Sequence, residues 1–279
     1  MKIGNAISHI IIGIVMRIFH CGSGSTPRGP SLQKNDVVLV SYPRSGNTWV
    51  RAILAYLFYP EDRIRSLQSL NRLVPDIYFG IPRMVRYCQP RVIKTHQPFG
   101  FRHESSNNSL YHQNIYVVRH PFAVVSSFFH FQLNFWKYPE TSLERFVQKF
   151  VNGTIEGNSS WQEHVLSWKA VEDERKILFL RYEDLLENQG REIGRIADFL
   201  GQNTSAERIN MICKKTSRTS MIKLQKKGPL VEKGYDWVRK AGSTWPSENE
   251  LTQTTKDIIW HRSKIAMELF GYSRTYKSE

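Results

Sequence analysis

The feature that most constrains the fold of this chain is a series of short apolar segments separated by longer stretches of helical period. Strand-length, mostly apolar runs occur at 37–41 (VVLVS), 91–95 (RVIKT), 115–119 (IYVVR) and 176–181 (KILFLR). Strands that alternate with helices in this way form a parallel sheet covered on both faces. We therefore predict an α/β fold, in which a single domain has a central parallel sheet flanked by helices.

Two of the intervening segments have the apolar spacing of amphipathic helices. Residues 47–58 place on one face Val50, Ile53, Leu54, Leu57 and Phe58. Residues 184–201 likewise predict one helix with an apolar face made of Leu185, Leu186, Ile193, Ile196, Ala197 and Leu200. Gly201 is well placed to end that helix. Residues 60–90 and 202–250 show no clear period, and we predict irregular loops there.

The domain organisation follows from the absence of an internal linker. No Gly/Ser/Pro-rich linker divides the 279 residues in the middle, which predicts one domain over 31–279 after an N-terminal apolar lead at 1–30. Residues 6–19 are mostly apolar, but they fall short of the roughly 20 residues that a membrane-spanning helix needs. This lead is either a first helix packed on the domain or an interfacial helix. Peripheral membrane contact through 1–20 is therefore an open alternative.

The charge indicates an anionic partner. A formal net charge of +14 suits nucleic acid, acidic lipid or a polyanionic small molecule. The basic residues are spread out, without zinc-finger spacing or a run of five, which argues against nucleic acid. The three cysteines are Cys21, Cys88 and Cys213. Their wide separation gives no disulfide framework and indicates a reducing compartment.

A cluster of polar side chains follows each predicted strand. The clusters consist of Arg44, Ser45, Gly46, Asn47 and Thr48 after the first strand, Lys94 to His96 at the second, Arg119 and His120 at the third, and Tyr182 to Asp184 at the fourth. Ligands of open α/β sheets bind outside the carboxyl ends of the strands. Three of the four clusters carry cations, so we predict an anion-binding site at this edge of the sheet.

The strand–turn–helix junction at SYPRSGNTW (41–49) has the chemistry of a phosphate cradle. The start of a helix directs free backbone N–H groups and a positive dipole at one point. Gly46 lets the backbone approach a ligand closely, Ser45, Asn47 and Thr48 add polar groups, and Arg44 adds a permanent charge. The loop is P-loop-like, but the Walker A pattern GxxxxGK[ST] is absent.

The sequences of this loop and of four later segments resemble those of one enzyme family. SYPRSGNTW resembles the 5′-phosphosulfate loop of sulfotransferases that use 3′-phosphoadenosine 5′-phosphosulfate (PAPS), of the cytosolic, small-molecule type. VIKTHQP, YVVRHPFAVVSSFFHF, LFLRYEDLLEN and VRKAGSTW follow in the family's order. The resemblance spans about residues 36–246 and implies sulfuryl transfer from PAPS to a hydroxyl or amine of a small molecule, with 3′-phosphoadenosine 5′-phosphate (PAP) as product. It requires no metal.

The resemblance also implies catalytic roles. His96 matches the general base that takes the acceptor's proton, a role suited to an imidazole. Lys94 matches the lysine near the transferring sulfonate. Arg44 stands where the family usually has Lys, and we expect it to bind the phosphosulfate. Arg and Lys are not interchangeable at such a site.

The same matching assigns residues to PAPS. Arg119 and Ser127 correspond to the pair that holds the 3′-phosphate, and Arg239 and Lys240 would close over that phosphate from the C-terminal side. The adenine is expected to contact Trp49, Tyr182, Thr216 and Arg218. The segment RKAGSTW departs from the family pattern, with Ala241 where Gly is usual.

The acceptor is less well defined than the donor. Aromatic residues crowd the expected acceptor side, although some of them must belong to the core: Tyr78, Phe79, Phe99, Phe101, Phe128, Phe129, Phe131, Phe135 and Trp136. We expect a cytoplasmic enzyme. Three alternatives remain open, namely a P-loop-type nucleotide kinase, a Golgi-type carbohydrate sulfotransferase, and a membrane-associated nucleotide-binding protein without activity. The sequence does not indicate an oligomeric state.

Overall fold

The structure of the protein is a computed structural model that describes residues 32–77, 90–100, 113–133, 142–155, 158–227 and 250–276. Within these ranges, four strands form one sheet in the order β2-β1-β3-β4, and each neighbouring pair is parallel. The strands are β1 (Val37–Ser41), β2 (Val92–Thr95), β3 (Gln113–Val118) and β4 (Ile177–Arg181). The predicted α/β fold with a central parallel sheet is confirmed, and the four predicted runs match the strands to within two residues.

Helices cover both faces of this sheet. One face carries α1 (Asn47–Phe58), α2 (Leu67–Leu73), α6 (Tyr182–Glu187), α7 (Gln189–Phe199), α8 (Ala206–Lys215) and α9 (Arg218–Gln225). The other face carries α3 (Pro121–Phe131), α4 (Leu143–Asn152), α5 (Trp161–Lys169) and α10 (Gln253–Leu269). A 3₁₀ helix, Glu61–Arg63, lies between α1 and α2.

The core consists of two apolar clusters, one on each face of the sheet. On β1, Val37 and Leu39 belong to one cluster, whereas Val38 and Val40 belong to the other, and all four are fully buried. Successive side chains of a strand point to opposite faces, so an apolar run without alternation fills both clusters. This is the physical reason why the continuous apolar pattern predicted a doubly covered sheet.

The strand order places a crevice beside β1. The chain leaves β1 toward β2 on one side and later crosses to β3 on the other side, so β1 adjoins the point where the strand order reverses. In open α/β sheets such switch points receive the ligand at the carboxyl ends of the strands. The topology therefore assigns the site to the segments after Ser41, Thr95 and Val118.

The prediction of irregular loops over 60–90 and 202–250 is wrong in part. The first range contains the 3₁₀ helix and α2, and the second contains α8 and α9. Each α-helix begins at a serine cap, for example Ser66 before α2 and Ser205 before α8. These helices have seven to ten residues. Such short segments bury few side chains and show the helical period poorly.

The single helix predicted over 184–201 is also wrong, because α6 and α7 are separated at Asn188. The side chain of Asn188 accepts a hydrogen bond from the amide of Arg191 at 3.0 Å and so caps α7. Leu186 lies before this break and is 40% exposed instead of facing the core. Gly201, with φ of 66°, follows the end of α7 as predicted.

A buried ion pair joins the amino ends of β1 and β2. The guanidinium of Arg91 donates two hydrogen bonds to the carboxylate of Asp36, at 2.6 and 2.5 Å. The exposed fractions of the two side chains are 4% and 0%. The pair lies at the end of the sheet opposite the switch-point crevice. Among the described ranges, no helix has the length and apolar character needed to cross a membrane, and the apolar lead at 1–30 is outside them.

Candidate active site

The loop between β1 and α1 has the backbone geometry of an anion cradle. Helix α1 begins at Asn47, and its N-cap is Gly46, which has no side chain to cap the helix. The amide of Trp49 bonds to the carbonyl of Gly46 at 3.0 Å, whereas the amides of Asn47 and Thr48, at the first two positions of the helix, can face a ligand at the loop. Arg44 and Gly46 both have positive φ, at 69° and 98°, which folds the loop tightly back over the end of β1.

Tyr182 lies directly against this loop. A Cβ atom added at Gly46 would be 2.4 Å from Cδ2 of Tyr182 and 2.9 Å from its Cε2. Such distances are far below van der Waals contact, so the position admits only glycine while the tyrosine keeps its place. The ring of Tyr182 also meets Trp49 edge to face, with 5.7 Å between centroids. These three predicted cofactor residues are therefore in mutual contact.

His96 is held in one tautomer by the end of β1. Its Nδ1 lies 2.7 Å from the carbonyl oxygen of Ser41 and 3.3 Å from the Ser41 hydroxyl. A carbonyl can only accept, so Nδ1 carries the hydrogen and Nε2 keeps a lone pair. Burial, together with the positive charge of Lys94, holds the pKa of His96 well below its ordinary value of 6.5. The ring is therefore neutral at pH 7, and Nε2 can accept a proton.

The Ser41 hydroxyl connects His96 to the loop, because it also accepts a hydrogen bond from Nδ2 of Asn47 at 3.1 Å. Asn47 and His96 are thus joined through one buried serine. Sequence reasoning missed Ser41. Its signal was a polar residue at the end of an otherwise apolar strand.

Lys94 forms a partly buried ion pair with Asp76, which lies beside β2 in a parallel bridge. Burial lowers the pKa of Lys94 to about 8, while the carboxylate of Asp76 opposes that shift. The lysine is close enough to His96 to lower the pKa of the imidazole. Sequence reasoning missed Asp76, which lies 18 residues before Lys94 in a range predicted as loop.

Arg44, Ser127 and Arg119 form one connected group. Nε of Arg44 donates to the hydroxyl of Ser127 at 3.2 Å, and Nη1 of Arg119 donates to the carbonyl of Arg44 at 3.3 Å. The guanidinium of Arg44 lies 4.7 Å from the centroid of the Phe131 ring. The guanidinium of Arg119 lies 4.2 Å from the centroid of the Tyr182 ring. The predicted phosphate-binding residues after β1, after β3 and on α3 therefore meet at one place.

The remaining described adenine candidates lie between α8 and α9. The hydroxyl of Thr216 is buried, donates to the carbonyl of Ile212 at 2.7 Å and accepts from Gln189 at 2.6 Å. Its single hydrogen is thus already donated within the protein, and one acceptor lone pair remains. Arg218 is exposed and begins α9.

Several buried polar atoms of the loop region have no hydrogen-bond partner in the described part of the chain. They include the hydroxyl of Ser45, Nε1 of Trp49 and Nε of Arg119. Buried donors are costly to leave unpaired. Together with two neighbouring guanidinium groups and the free amides of α1, these donors fit a ligand that carries several anionic oxygens, as PAPS does.

A second, partly buried network lies next to Arg119, at the ends of β3 and β4. The carboxylate of Glu183 accepts from the amide of His120 at 3.0 Å and from the hydroxyl of Tyr272 at 2.7 Å. Nε2 of His120 donates to the carbonyl of Ser273 at 3.1 Å. The segment after α10 thereby fixes the ends of β3 and β4. Sequence reasoning missed these contacts because Tyr272 and Ser273 lie far along the chain.

The predicted acceptor aromatics divide between core and undescribed residues. Phe128 and Phe129 are buried in the core, and Phe99 and Phe131 are partly buried against it. Other predicted site residues lie outside the described ranges, namely Arg239, Lys240, Tyr78, Phe79, Phe101, Phe135 and Trp136. The described residues contain no group of three or more His, Cys, Asp or Glu side chains that could hold a metal ion.

Comparison with known proteins decides the family. A family model described as a sulfotransferase domain matches residues 34–259. The chain belongs to the sulfotransferase family. Sulfotransferase 1B1 of Canis lupus familiaris is 32% identical over 209 residues, which cover 71% of this chain and 68% of that protein. The predicted enzyme class, a PAPS-dependent sulfotransferase that acts on small-molecule acceptors, is confirmed, and the kinase alternative is wrong.

Solved structures show the same fold in this sulfotransferase. Mouse sulfotransferase SULT7A1 complexed with PAP aligns with a TM-score of 0.65 at 20% identity and covers 92% of each chain. Retinol dehydratase in a complex with retinol and PAP aligns with a TM-score of 0.60 at 20% identity, covering 88% of this chain and 84% of that one.

Proposed function

We propose that His96 is the general base of this sulfotransferase and accepts the proton of the acceptor's hydroxyl or amine at Nε2. The observation that carries the proposal is the hydrogen bond from Nδ1 to the carbonyl of Ser41, at 2.7 Å. It commits one ring nitrogen as donor and leaves the other as proton acceptor. The lowered pKa of His96 keeps the ring neutral, so the base is in its working state at pH 7.

Two cations would stabilise the charge that develops as the sulfuryl group moves. PAPS supplies that group on a phosphosulfate linkage, and its leaving group is the phosphate of PAP. We assign Arg44 to the phosphosulfate, supported by its place in the loop before α1. We assign Lys94 to the sulfonate oxygens, supported by its proximity to His96. Fixed charges of this kind can stabilise a transition state without reorganising during the reaction.

The other predicted residues are assigned to separate parts of PAPS. We assign Ser45, Gly46, Asn47 and Thr48 to the 5′-phosphosulfate, supported by the free amides at the start of α1. We assign Arg119 and Ser127 to the 3′-phosphate, supported by their connection through Arg44. We assign Trp49 to the face of the adenine and Tyr182 to its edge, with Thr216 and Arg218 as further contacts. Arg239 and Lys240 are proposed from the sequence motif alone.

The donor site is tested by calorimetry with PAP, AMP and ATP–Mg²⁺. We expect PAP to bind most tightly, because of the three nucleotides only PAP carries the 3′-phosphate that we assign to Arg119. Removing a charge-assisted contact of about 1.5–3 kcal/mol in Arg119→Ala should weaken PAP binding by roughly 10–100-fold and leave AMP binding nearly unchanged. Equal affinity of the variant for PAP would contradict the assignment.

The base is tested by transfer of labelled sulfate from PAPS to a phenol, an aliphatic alcohol and an aryl amine. His96→Ala should lower kcat by roughly 10²–10⁴-fold while PAP affinity stays constant. His261→Ala is the matched control, since His261 is an exposed histidine on α10. A His96→Ala enzyme with the rate of the control would show that the proton goes elsewhere. The acceptor that is sulfated fastest decides between oxygen and nitrogen.

Three further properties are part of this proposal. We infer metal-free transfer, which predicts full activity in excess chelator. We infer a cytoplasmic enzyme, to be tested by fractionation of cells that express the full chain. Residues 1–20 remain a proposed site of peripheral membrane contact, which vesicle sedimentation of the full chain would test.

A further inference from the structure

Helix α5 holds the backbone on which His96 stands. Nε2 of His164 donates to the carbonyl oxygen of His96 at 3.0 Å. One residue further along, a backbone carbonyl accepts from Nε1 of Trp168, also at 3.0 Å. The hydroxyl of Ser167 then accepts from the amide of Phe99 at 2.9 Å. One face of a single helix therefore binds the peptide groups that follow β2.

His164 is the most constrained of these side chains. It is fully buried, and its Nδ1 lies 2.8 Å from the hydroxyl of Tyr116, which is also fully buried. Nε2 faces a carbonyl and must carry the hydrogen, so Nδ1 accepts from the tyrosine. Burial lowers the pKa of His164 to about 4, which keeps the ring neutral. Tyr116 thus fixes the tautomer that lets His164 hold His96.

His164 also contacts the donor loop. Its ring meets the ring of Tyr42 edge to face, with 5.5 Å between centroids, and Tyr42 directly precedes the Pro-Arg turn of that loop. The histidine therefore contacts both the segment that carries His96 and the segment that carries Arg44. Both segments come from the sheet, whereas His164 comes from a helix packed on one face of it.

We propose that His164, with its tautomer set by Tyr116, is a positioning residue for the base His96. By holding the carbonyl of His96, it fixes the orientation of the adjoining peptide and hence the direction in which Nε2 faces. A buried histidine that only fills the core would need neither the two directional hydrogen bonds nor a partner on the catalytic segment. The inference rests on the proposed role of His96 as general base.

The expected effect is on kcat rather than on donor binding. A misplacement of about 1 Å at a reacting group can cost roughly 100-fold in rate. His164→Leu removes the donor to His96 and should lower kcat by about 10–100-fold, with PAP affinity within about 3-fold of the parent protein. His164→Gln can place an amide N–H near the position of Nε2 and should recover a large part of the lost rate. Tyr116→Phe should fall between these two variants.

A second readout is independent of turnover. The ¹⁵N chemical shifts of the His96 ring, assigned with His96→Ala in ¹⁵N-histidine-labelled protein, report which ring nitrogen carries the hydrogen. We expect one tautomer in the parent protein and in His164→Gln. In His164→Leu we expect a mixture, because a shift of the His96 backbone would move its Nδ1 away from the carbonyl of Ser41, which sets the tautomer. Val165→Ala is the matched control, because Val165 is a fully buried residue of α5 that belongs to the apolar core. It should lower stability without changing the His96 shifts or kcat by more than about 2-fold.

Two results would overturn the positioning role. In the first, His164→Leu keeps the parent kcat and the parent His96 spectrum. In the second, the loss in His164→Leu is matched by Val165→Ala and is not recovered by His164→Gln, so that only general stability is involved. A failure of the base assignment itself looks different: His96→Ala would then retain its activity, while the His96 tautomer would still respond to His164→Leu.

Discussion

Lowering the pH from 7 to 5 is expected to destabilise the protein through two buried histidines, His120 and His164. Burial lowers the pKa of each imidazole from 6.5 to about 4, and their exposed fractions are 2% and 0%. As the pH falls below 6.5, each of them binds a proton in the unfolded chain. The folded protein keeps them neutral until about pH 4. Between about pH 6.5 and pH 4 the unfolded chain therefore binds more protons than the folded protein, and the free energy of unfolding decreases as the pH is lowered.

The size of the effect follows from the two pKa values. About 1.4 kcal/mol is lost for each pH unit below the unfolded pKa, until the folded pKa is reached. Each histidine therefore accounts for a loss of about 2 kcal/mol between pH 7 and pH 5. The two together account for about 4 kcal/mol, which is a large share of the roughly 5–15 kcal/mol that stabilises a typical domain. His96, whose pKa is also lowered by burial, adds to the loss in the same direction.

Urea unfolding at pH 7, 6 and 5, followed by far-ultraviolet circular dichroism, measures this dependence. The informative comparison is the loss between pH 7 and pH 5 within each protein, since His164→Gln also changes stability at pH 7. The variant lacks the titrating group, so its loss should be smaller than that of the parent protein by about 2 kcal/mol. An equal loss in both proteins would refute the conclusion that His164 is held neutral by burial.

Three other perturbations test residues of the active site and an ion pair outside it. Gly46→Ala should lower the free energy of unfolding by about 2 kcal/mol and weaken PAP binding by about 10-fold. The reason is that φ is 98° at this position and the new Cβ would lie 2.4 Å from Tyr182. Unchanged PAP affinity in calorimetry would contradict this prediction. Asp36→Asn should cost about 3–5 kcal/mol in urea unfolding, since Arg91 keeps a buried charge without its partner, and an unchanged midpoint would count against that estimate. The rate of sulfuryl transfer should fall above about pH 8 as Lys94 loses its proton. Lys94→Arg should move this decline to higher pH. If the variant showed the same decline, another group would be responsible for the loss of rate.

The sequence by itself determined the class of fold and the family, because both depend on local patterns. Continuous apolar runs of strand length require burial on both faces, and the structure fills both core clusters from β1. The glycine and the cation of the loop after β1 could be recognised from SYPRSGNTW alone. The requirement at Gly46 is a backbone property, and its position before an apolar helix pattern is visible in the sequence.

Local patterns were less informative where helices are short. The separation of α6 from α7 depends on the cap at Asn188, and a continuous apolar face concealed it. Helices α2, α8 and α9 bury only a few side chains each. Their period was too weak to distinguish them from loops.

Only the tertiary structure decided how the base is held. Ser41 and His96 are 55 residues apart, and His164 and His96 are 68 apart. No spacing rule joins positions so distant, because the contacts arise from the parallel alignment of β1 with β2 and from the packing of α5 on the sheet. The tautomer of His96, the ion pair of Lys94 with Asp76 and the neutral state of His164 are consequences of that packing, since burial and hydrogen-bond partners set them.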